Sequence, residues 1–464
     1  MAANTYCEYT QVTPTDNNKW TFSCWFKRAG VGVIENIFAA WQDGSNQTSF
    51  RMYADGTFNF FDYQSGSYTG NLITNRQFKD TGAWMHLVCV WDSDNATPGD
   101  RMKMYINGVE EGSVGGYSTD TNPSSGQATV LNVNSRVMRI GEDYDGNNFD
   151  GCMSHIHFID GTVYDASAFG ETDATSGIWK IKTSPSVTYG NNGFFLKMED
   201  RTNLDLDSGT NAFTFTTSGD LTPTYDNPSN NFAVMNNQFN AAGITFTNGN
   251  LTGTEPSNNW RSSWSNLGVF GGKWYAEFQY SWSSGSESYI GIGTDKHING
   301  TAYSTSGNYP GLQTNGYDYV GNSAESWGLY SNGNGENVGG TAWSGYSGAW
   351  NTGTPIMGVA FDADNKKLYI SKDGVWADGA GAWGSSTFDA AVGAQSTSTA
   401  TGNIWFFGCS PQEGSSKANF GNGYFGTTAV ASTNADGAGE GSFEYPVPSG
   451  FYALCTKNIK AYGG

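Results

Sequence analysis

The sequence predicts an all-β chain: two tandem antiparallel β-sandwiches joined by an irregular connector. Three observations predict it. Charged residues make up 14% of the 464, against roughly 25% in an average globular protein. Aromatics reach 15%, and 63 glycines cut the chain into short pieces. Uncharged polar, β-branched and aromatic residues divided by Gly describe strands and turns, not helices. Finally, apolar residues alternate with period two at the start of the chain and again in its second half. The length exceeds what one ordinary core serves.

The elements follow in order. In WTFSCWFKR, Trp20, Phe22, Cys24 and Phe26 share a face, because strand side chains alternate. RMYADGTFNFFDY reads as a hairpin turning at Asp55-Gly56. In HLVCVWDSD, Leu87, Cys89 and Trp91 share a face. RMKMYINGVEEG is a second hairpin, with Met102, Met104 and Ile106 on one side and Asn107-Gly108 as a type I′ turn. RVMRIGEDY and FDGCMSHIHFIDG follow, and DASAFGE (165–171) predicts a short helical turn. These elements place a first sandwich over residues 1–200. Residues 201–239 crowd Asp, Asn, Thr, Ser, Gly and Pro and read as a connector, with Phe213 and Phe215 packing on something. A second sandwich occupies 240–464. There GKWYAEFQYSW and SYIGIGTD read as paired core strands, and GTPIMGVAFDADNKKLYISKDGVW as a meander turning at Asp364-Asn365 and Asp373-Gly374. The Gly/Ser/Asn/Trp-rich stretch 296–350 predicts long loops, which in compact domains carry function or disorder.

Composition excludes partners. A net charge of −20 repels nucleic acid and anionic membranes. No stretch approaches the ~20 apolar residues of a membrane helix, so membrane insertion is not expected. MAANTYCEYTQ has neither the basic start nor the apolar run of a signal peptide. Synthesis in the cytoplasm is therefore expected. Six cysteines without a C-x-x-C point to small buried hydrophobes, not a disulfide framework or a zinc ribbon.

WTFSCWFKR, GAWMHLVCVWDSDN, MKMYINGV and RIGEDYDGNNFDGCMSHIHFIDG resemble successive strands of a laminin-G or concanavalin-A-like jelly roll. GKWYAEFQY, YIGIGT, GVAFDADNKKLYISKDGVW and ANFG resemble a SPRY domain, itself a two-sheet sandwich. FIDGTVYDASAFGE, YGNNGFFLKMED, DNPSNNF and YPVPSGFYALCTKNI make the ordered set similar to lectin-plus-SPRY virion proteins of tailed phages, marine and cyanobacterial above all. The resemblance implies a tail-fibre, receptor-binding or other structural component located in the virion. Relatives often continue where this chain ends in KAYGG, which weakens the implication of a long fibre. Where His155 stands, the family usually has an acidic residue. His157 and His86 match positions where histidine is frequent, which implies scaffold roles.

Candidate sites follow. His155 and His157 are two apart in a strand and share a face, but a metal needs roughly three or four convergent ligands and the sequence offers no third. Calcium is the metal most often found in laminin-G-like domains and takes about six to eight oxygens. Asp92 and Asp94 of WDSDN, with Asp145 of EDYDGNN, are the densest oxygen donors. Turn formation explains the same residues. For a sugar, TAWSGYSGAW offers Trp343, Tyr346 and Trp350 as an aromatic platform, though large aromatics also cap cores. A hydrolase on this fold needs two carboxylates roughly 5–10 Å apart, and no E-x-D-x-x-E or E-x-D-x-E strand occurs.

The expectation is thus a non-catalytic virion protein exposed on the particle. Its partners would be other virion proteins and a host cell-surface glycan or receptor, bound multivalently, with a homotrimer as the expected oligomer by analogy with phage fibres. A capsid decoration protein and a polysaccharide-degrading enzyme are the alternatives.

Overall fold

The computed structural model describes residues 5–238, 243–282, 287–298, 317–318, 320–337, 340–343, 349–377, 383–385, 387–388, 395–397 and 399–463. Of 260, 317–318, 336–337, 340–343, 385 and 395–396 it describes the backbone alone. The chain divides into two compact units, residues 1–223 with 227–229, and residues 224–226 with 230–464. Both are β-structures, as the composition predicts. No helix among the described residues is long and apolar enough to cross a membrane.

The first unit contains β1 (Tyr6–Thr10), β2 (Lys19–Arg28), β3 (Glu35–Asp43), β4 (Asn46–Met52), β5 (Thr57–Gln64), β6 (Ser67–Gln77), β7 (Met85–Asp92) and β8 (Met102–Ile106). β9 (Val109–Glu110), β10 (Tyr117–Thr121), β11 (Val137–Ile140), β12 (Gly151–Asp160), β13 (Gly170–Thr172), β14 (Trp179–Ile181), β15 (Phe194–Leu196) and β16 (Thr216–Ser218) follow. Eight strands form one sheet in the order β10-β6-β5-β4-β3-β11-β1-β16, and six form the other, β15-β12-β2-β7-β8-β9. The alternation read from the sequence is what joins them. Trp20, Phe22, Cys24 and Phe26 of β2, Leu87, Cys89 and Trp91 of β7, and Met102, Met104 and Ile106 of β8 all enter one core with Phe38, Phe50, Phe58 and Phe60 from the larger sheet. Each such side chain contributes about 1.5–3 kcal/mol on burial. The turn between β8 and β9 has φ of 49° at Asn107 and 82° at Gly108, the paired positive values that a type I′ hairpin requires. The helical turn predicted over 165–171 is a 3-10 turn at Ala166–Ala168, capped by the Asp165 carboxylate accepting from Ser167 N.

The six-stranded sheet is buried on its outer face as well. Val88, Val90, Ile159 and Phe195 meet Ala166, Phe169, Tyr189 and Trp179 there. The β13–β14 hairpin pairs Gly170 with Ile181 and Thr172 with Trp179. It lays the Trp179 ring directly against Gly108, where a Cβ would collide with it.

Residues 201–239, read as a connector, are shared between the units. β16 pairs with β1, and Phe213 stacks on Tyr9 with ring centroids 4.2 Å apart. Asp207 accepts backbone N–H groups from Phe195, Gly209 and Phe213 at 2.8–2.9 Å. Phe232, Ala233, Val234 and Met235 are buried in the second unit.

In the second unit, the strand Lys273–Trp282 lies between Ile356–Asp362 and Gly414–Asn419. The strand Ser288–Thr294 lies between Ser326–Tyr330 and Trp405–Pro411. The expectation that Lys273–Trp282 and Ser288–Thr294 pair with each other is corrected: they belong to opposite sheets. Their apolar residues Trp274, Phe278, Tyr280, Ile290 and Ile292 still fill one core. Period-two patterning specifies which face is buried, and two strands satisfy it equally by pairing or by facing each other. The meander through Ile356–Asp362, Lys367–Lys372 and Val375–Ala377 forms as read.

Loops at the end of the first sandwich converge on Asp160. Its carboxylate accepts from Thr15 N at 2.7 Å, Asp16 N at 3.3 Å, Asn192 N at 3.0 Å and Asn132 Nδ2 at 2.7 Å. Asp160→Ala leaves these donors unmatched in a buried site. Denaturant melts of the variant should show the first unit destabilised by about 3 kcal/mol or more, and a loss below about 1 kcal/mol would contradict this role.

Candidate binding face of the eight-stranded sheet

The residues singled out from the sequence do not come together. Trp350 is fully buried. Its indole N–H donates to the Tyr330 carbonyl at 3.0 Å, and its ring packs on Tyr280 at 4.9 Å and Trp282 at 5.7 Å. This corrects its reading as a sugar platform: a ring this large lowers the free energy most when its whole surface leaves water. Trp343 ends a strand, Gly340–Trp343, and only its backbone is described. Tyr346 lies outside the described residues.

The acidic trio is also dispersed. Asp94 is held by Lys19 Nζ at 3.1 Å and by Asn18 Nδ2 at 3.2 Å, and Asp92 closes β7 nearby. Asp145 belongs to a turn after β11 that winds round Asp143, whose Oδ1 accepts from Asp145 N and Asn147 N, both at 3.0 Å. Among the described residues no three His, Cys, Asp or Glu side chains converge as a metal site. The local hydrogen bonds that favour Asp and Asn in turns account for the EDYDGNN segment.

The histidine pair sits on a bulge. Ser154 is opposite Trp25 and His157 opposite Ser23, so two residues of β12 face one of β2. His155 takes the extra place with φ of 48°. His157 stacks on Phe195 at 3.9 Å and bonds Tyr189 Oη through Nδ1 at 3.1 Å. His155 Nδ1 meets Ser154 Oγ at 2.8 Å, and its Nε2 lies 3.5 Å from Glu199 Oε1. His86 is likewise enclosed, between Ser23 Oγ at 2.8 Å and the Trp179 indole N–H at 3.0 Å. These rings fill the interface between the six-stranded sheet and its cover.

The outer face of the eight-stranded sheet is different, and the sequence reading missed it. β4 and β5 alternate: Phe50, Met52, Phe58 and Phe60 enter the core, so Gln47, Ser49, Arg51, Asn59, Phe61 and Tyr63 face outward. The register sets them in rows. Ser49 lies opposite Phe61 and Ala39, Arg51 opposite Asn59 and Asn36, and Gln47 opposite Tyr63 and Trp41. Tyr63 is in turn opposite Tyr68 of β6, and Ala39 opposite Arg139 of β11. The floor is thus small or amide-bearing, with Ala39, Ser49, Asn36 and Asn59 all buried.

Aromatic rings stand on both sides of that floor. Tyr68 is 47% exposed and makes edge contacts with Tyr63 at 4.9 Å and Phe61 at 5.7 Å. Tyr144, 46% exposed, meets Trp41 edge-on at 6.3 Å. Tyr63 and Trp41 are two strands apart, or about 10 Å. Gln47 stands between them, and Arg51, four residues further along β4, lies over Phe61 at 4.6 Å and Tyr53 at 5.1 Å. Its Nε donates to Asn59 Oδ1 at 3.3 Å and one Nη to Tyr53 Oη at 3.2 Å. Arg139 lies over Tyr6 at 4.0 Å and Trp41 at 5.0 Å, and is neutralised by Glu8 at 2.8 Å and Glu142 at 2.6 Å. Ring faces beside amide, hydroxyl and guanidinium donors suit a ligand with apolar C–H faces and a hydroxylated edge. The signal lay in TFNFFDY: strict alternation leaves Phe61 and Tyr63 outside when Phe58 and Phe60 are inside.

Residues 2–168 match the family model of the concanavalin A-like lectin/glucanases superfamily. Residues 2–168 therefore carry the laminin-G/concanavalin A-like fold. No curated protein sequence matches the chain. Among solved structures, a native heptameric SAP-like pentraxin from Limulus polyphemus is 18% identical, with 35% of this chain and 73% of that one covered and a TM-score of 0.27. The SPRY domain of human HERC1 is 11% identical over 40% of this chain and 96% of that one, TM-score 0.27. A putative carbohydrate binding protein from Bacteroides ovatus is 13% identical over 47% and 59%, TM-score 0.28.

Burial pushes the imidazoles down, His86 and His297 to about 3 and His155 to about 4, the last also through Lys197. His157 is driven well below its ordinary value, first by burial and then by His155. Depressed folded values mean that these rings add stability above pH ~6.5, and that it is lost as pH falls toward the folded values. Burial drives Glu35 and Glu277 up to about 7. Their contribution runs the opposite way, lost as pH rises from about 4.5 through 7. In 15N NMR spectra all four imidazoles should stay neutral from pH 8 down to about 5. A ring titrating near 6.5 would contradict its enclosure.

Proposed function

We propose that this chain is a non-catalytic glycan-binding protein that uses the outer face of the eight-stranded sheet. One observation carries the reading. On a lectin-type sandwich, the larger sheet keeps Trp41, Tyr63, Tyr68 and Tyr144 toward solvent around an amide and hydroxyl floor, while the smaller sheet is covered. Apolar rings presented outward cost solvation free energy unless a partner covers them. The lectin-like domain and the carbohydrate binding protein among the compared structures agree with this reading.

The ordered lectin-plus-SPRY motifs support a finer statement: display on a tailed-phage virion, with attachment to a host-surface glycan. Many copies on one particle would turn weak single sites into firm adsorption. Immunogold labelling of particles tests this part. Gold at tail or fibre tips supports it, gold over the head favours decoration, and free protein in the lysate excludes both.

The binding part is tested on purified protein. Titration against a panel of host-surface oligosaccharides should find a ligand whose affinity falls at least about tenfold, or ~1.4 kcal/mol, in Trp41→Ala and Tyr68→Ala. Trp350→Ala should destabilise the second unit and leave that affinity unchanged. Full affinity in both face variants would overturn the assignment.

A further inference from the structure

Arg51, Arg101 and Arg136 are arginines of the first unit that meet no carboxylate among the described residues; Arg101 donates to the Asn95 and Pro123 carbonyls and Arg136 to Gln42, whereas Arg51 lies on the candidate face. Arg28 meets Glu35, Arg76 meets Glu111 and Arg139 meets Glu8 and Glu142. Arg51 has no carboxylate partner among the described residues. Its contacts are all neutral: Asn59 Oδ1, Tyr53 Oη and the rings of Phe61 and Tyr53. In a chain of net charge −20, an unpaired guanidinium lying half-buried on a candidate face is available to an anion. Rings beneath it and two hydrogen bonds hold its plane, and a pre-organised fork binds planar oxyanions best.

A second observation stands beside it. Asn36, opposite Arg51 in register, is fully buried, with its Oδ1 accepting from Ser49 Oγ at 2.5 Å and its Nδ2 without a partner. Turning the amide over would only exchange which atom is unmatched. An unmatched buried amide group costs about 1–3 kcal/mol. An oxygen-bearing group seated beside the guanidinium would offer that unmatched donor an acceptor.

We infer that the face takes an acidic glycan, with Arg51 as counter-ion to a sugar carboxylate or sulfate and Tyr63, Tyr68 and Trp41 as walls for the ring. The inference rests on the glycan-binding reading above. The acidic surface elsewhere does not forbid it. Charges beyond about 8 Å are screened at physiological ionic strength, whereas Arg51 would touch its ligand.

The test compares an oligogalacturonate, the same oligomer reduced at its carboxyls, and a sulfated oligosaccharide of equal length, on the intact chain. At least one acidic probe should bind at least about tenfold more tightly than the reduced oligomer. Carboxylate and sulfate arms report which anion fits. Arg51→Gln should abolish that preference, the acidic probe then binding no more tightly than the reduced oligomer, with the melting curve retained. Equal binding of acidic and reduced oligomers by the wild-type chain overturns the inference while leaving a glycan site in place. Should Arg51→Gln fail to fold, this wild-type comparison decides alone. Loss of all glycan binding in Trp41→Ala and Tyr68→Ala with no acid preference anywhere separates the two readings. Absence of binding to any sugar sinks the functional reading itself.

Discussion

Buried carboxylates that accept backbone N–H groups hold the loops of both units. A loop carries main-chain donors that no ladder satisfies, and leaving them dry is costly. Asp160 gathers the segments around residues 15, 132 and 192. Glu277, fully buried, accepts from Glu444 N, Tyr445 N, Tyr275 Oη and Asn419 Nδ2 at 2.9–3.2 Å. Asp436 collects Ala438 N, Glu440 N and Ala453 N, each at 2.8–2.9 Å. A short acidic side chain is suited to this work, since one carboxylate offers about four acceptor sites. The low charge content of the chain is therefore misleading: several of its charges are inside, and they organise turns.

The two sheets of the first unit divide their labour because one of them is covered. The chain leaves β12 at Asp160 and returns as β15 at Phe194, beside β12. The intervening segment must lie on the outer face of the six-stranded sheet, and Tyr164, Phe169, Trp179 and Tyr189 do so. This enclosure makes His86 and His157 packing rings. The bulge at His155 adjusts the pleat, so that Ser154 and His157, three apart, both serve the covered face. On the outer face of the eight-stranded sheet Tyr68 and Tyr144 stay exposed and Trp41 and Tyr63 half-buried, above a buried floor of Ala39, Ser49, Asn36 and Asn59.

Much of this was legible beforehand. Alternation in WTFSCWFKR and HLVCVWDSD identified the core faces, and Asn-Gly at 107–108 identified its turn type, because strand period and positive φ are local properties. The site was less legible. Trp350 and the acidic residues of WDSDN and EDYDGNN attracted notice by local density. Density along the chain does not separate a buried ring from an exposed one, nor a turn from a ligand set.

By itself the sequence determined the fold class, the inward faces of its strands and the hairpins. Each follows from interactions within a few residues or from a repeating pattern. Only the tertiary structure decided that Lys273–Trp282 and Ser288–Thr294 face each other instead of pairing. Only it decided that a returning segment covers the six-stranded sheet. The reason is physical: alternation states that one face of a strand is buried, while exposure of the other face depends on segments distant along the chain. Arg51 opposite Asn36, and Tyr63 and Trp41 two strands apart, come together only through that pairing.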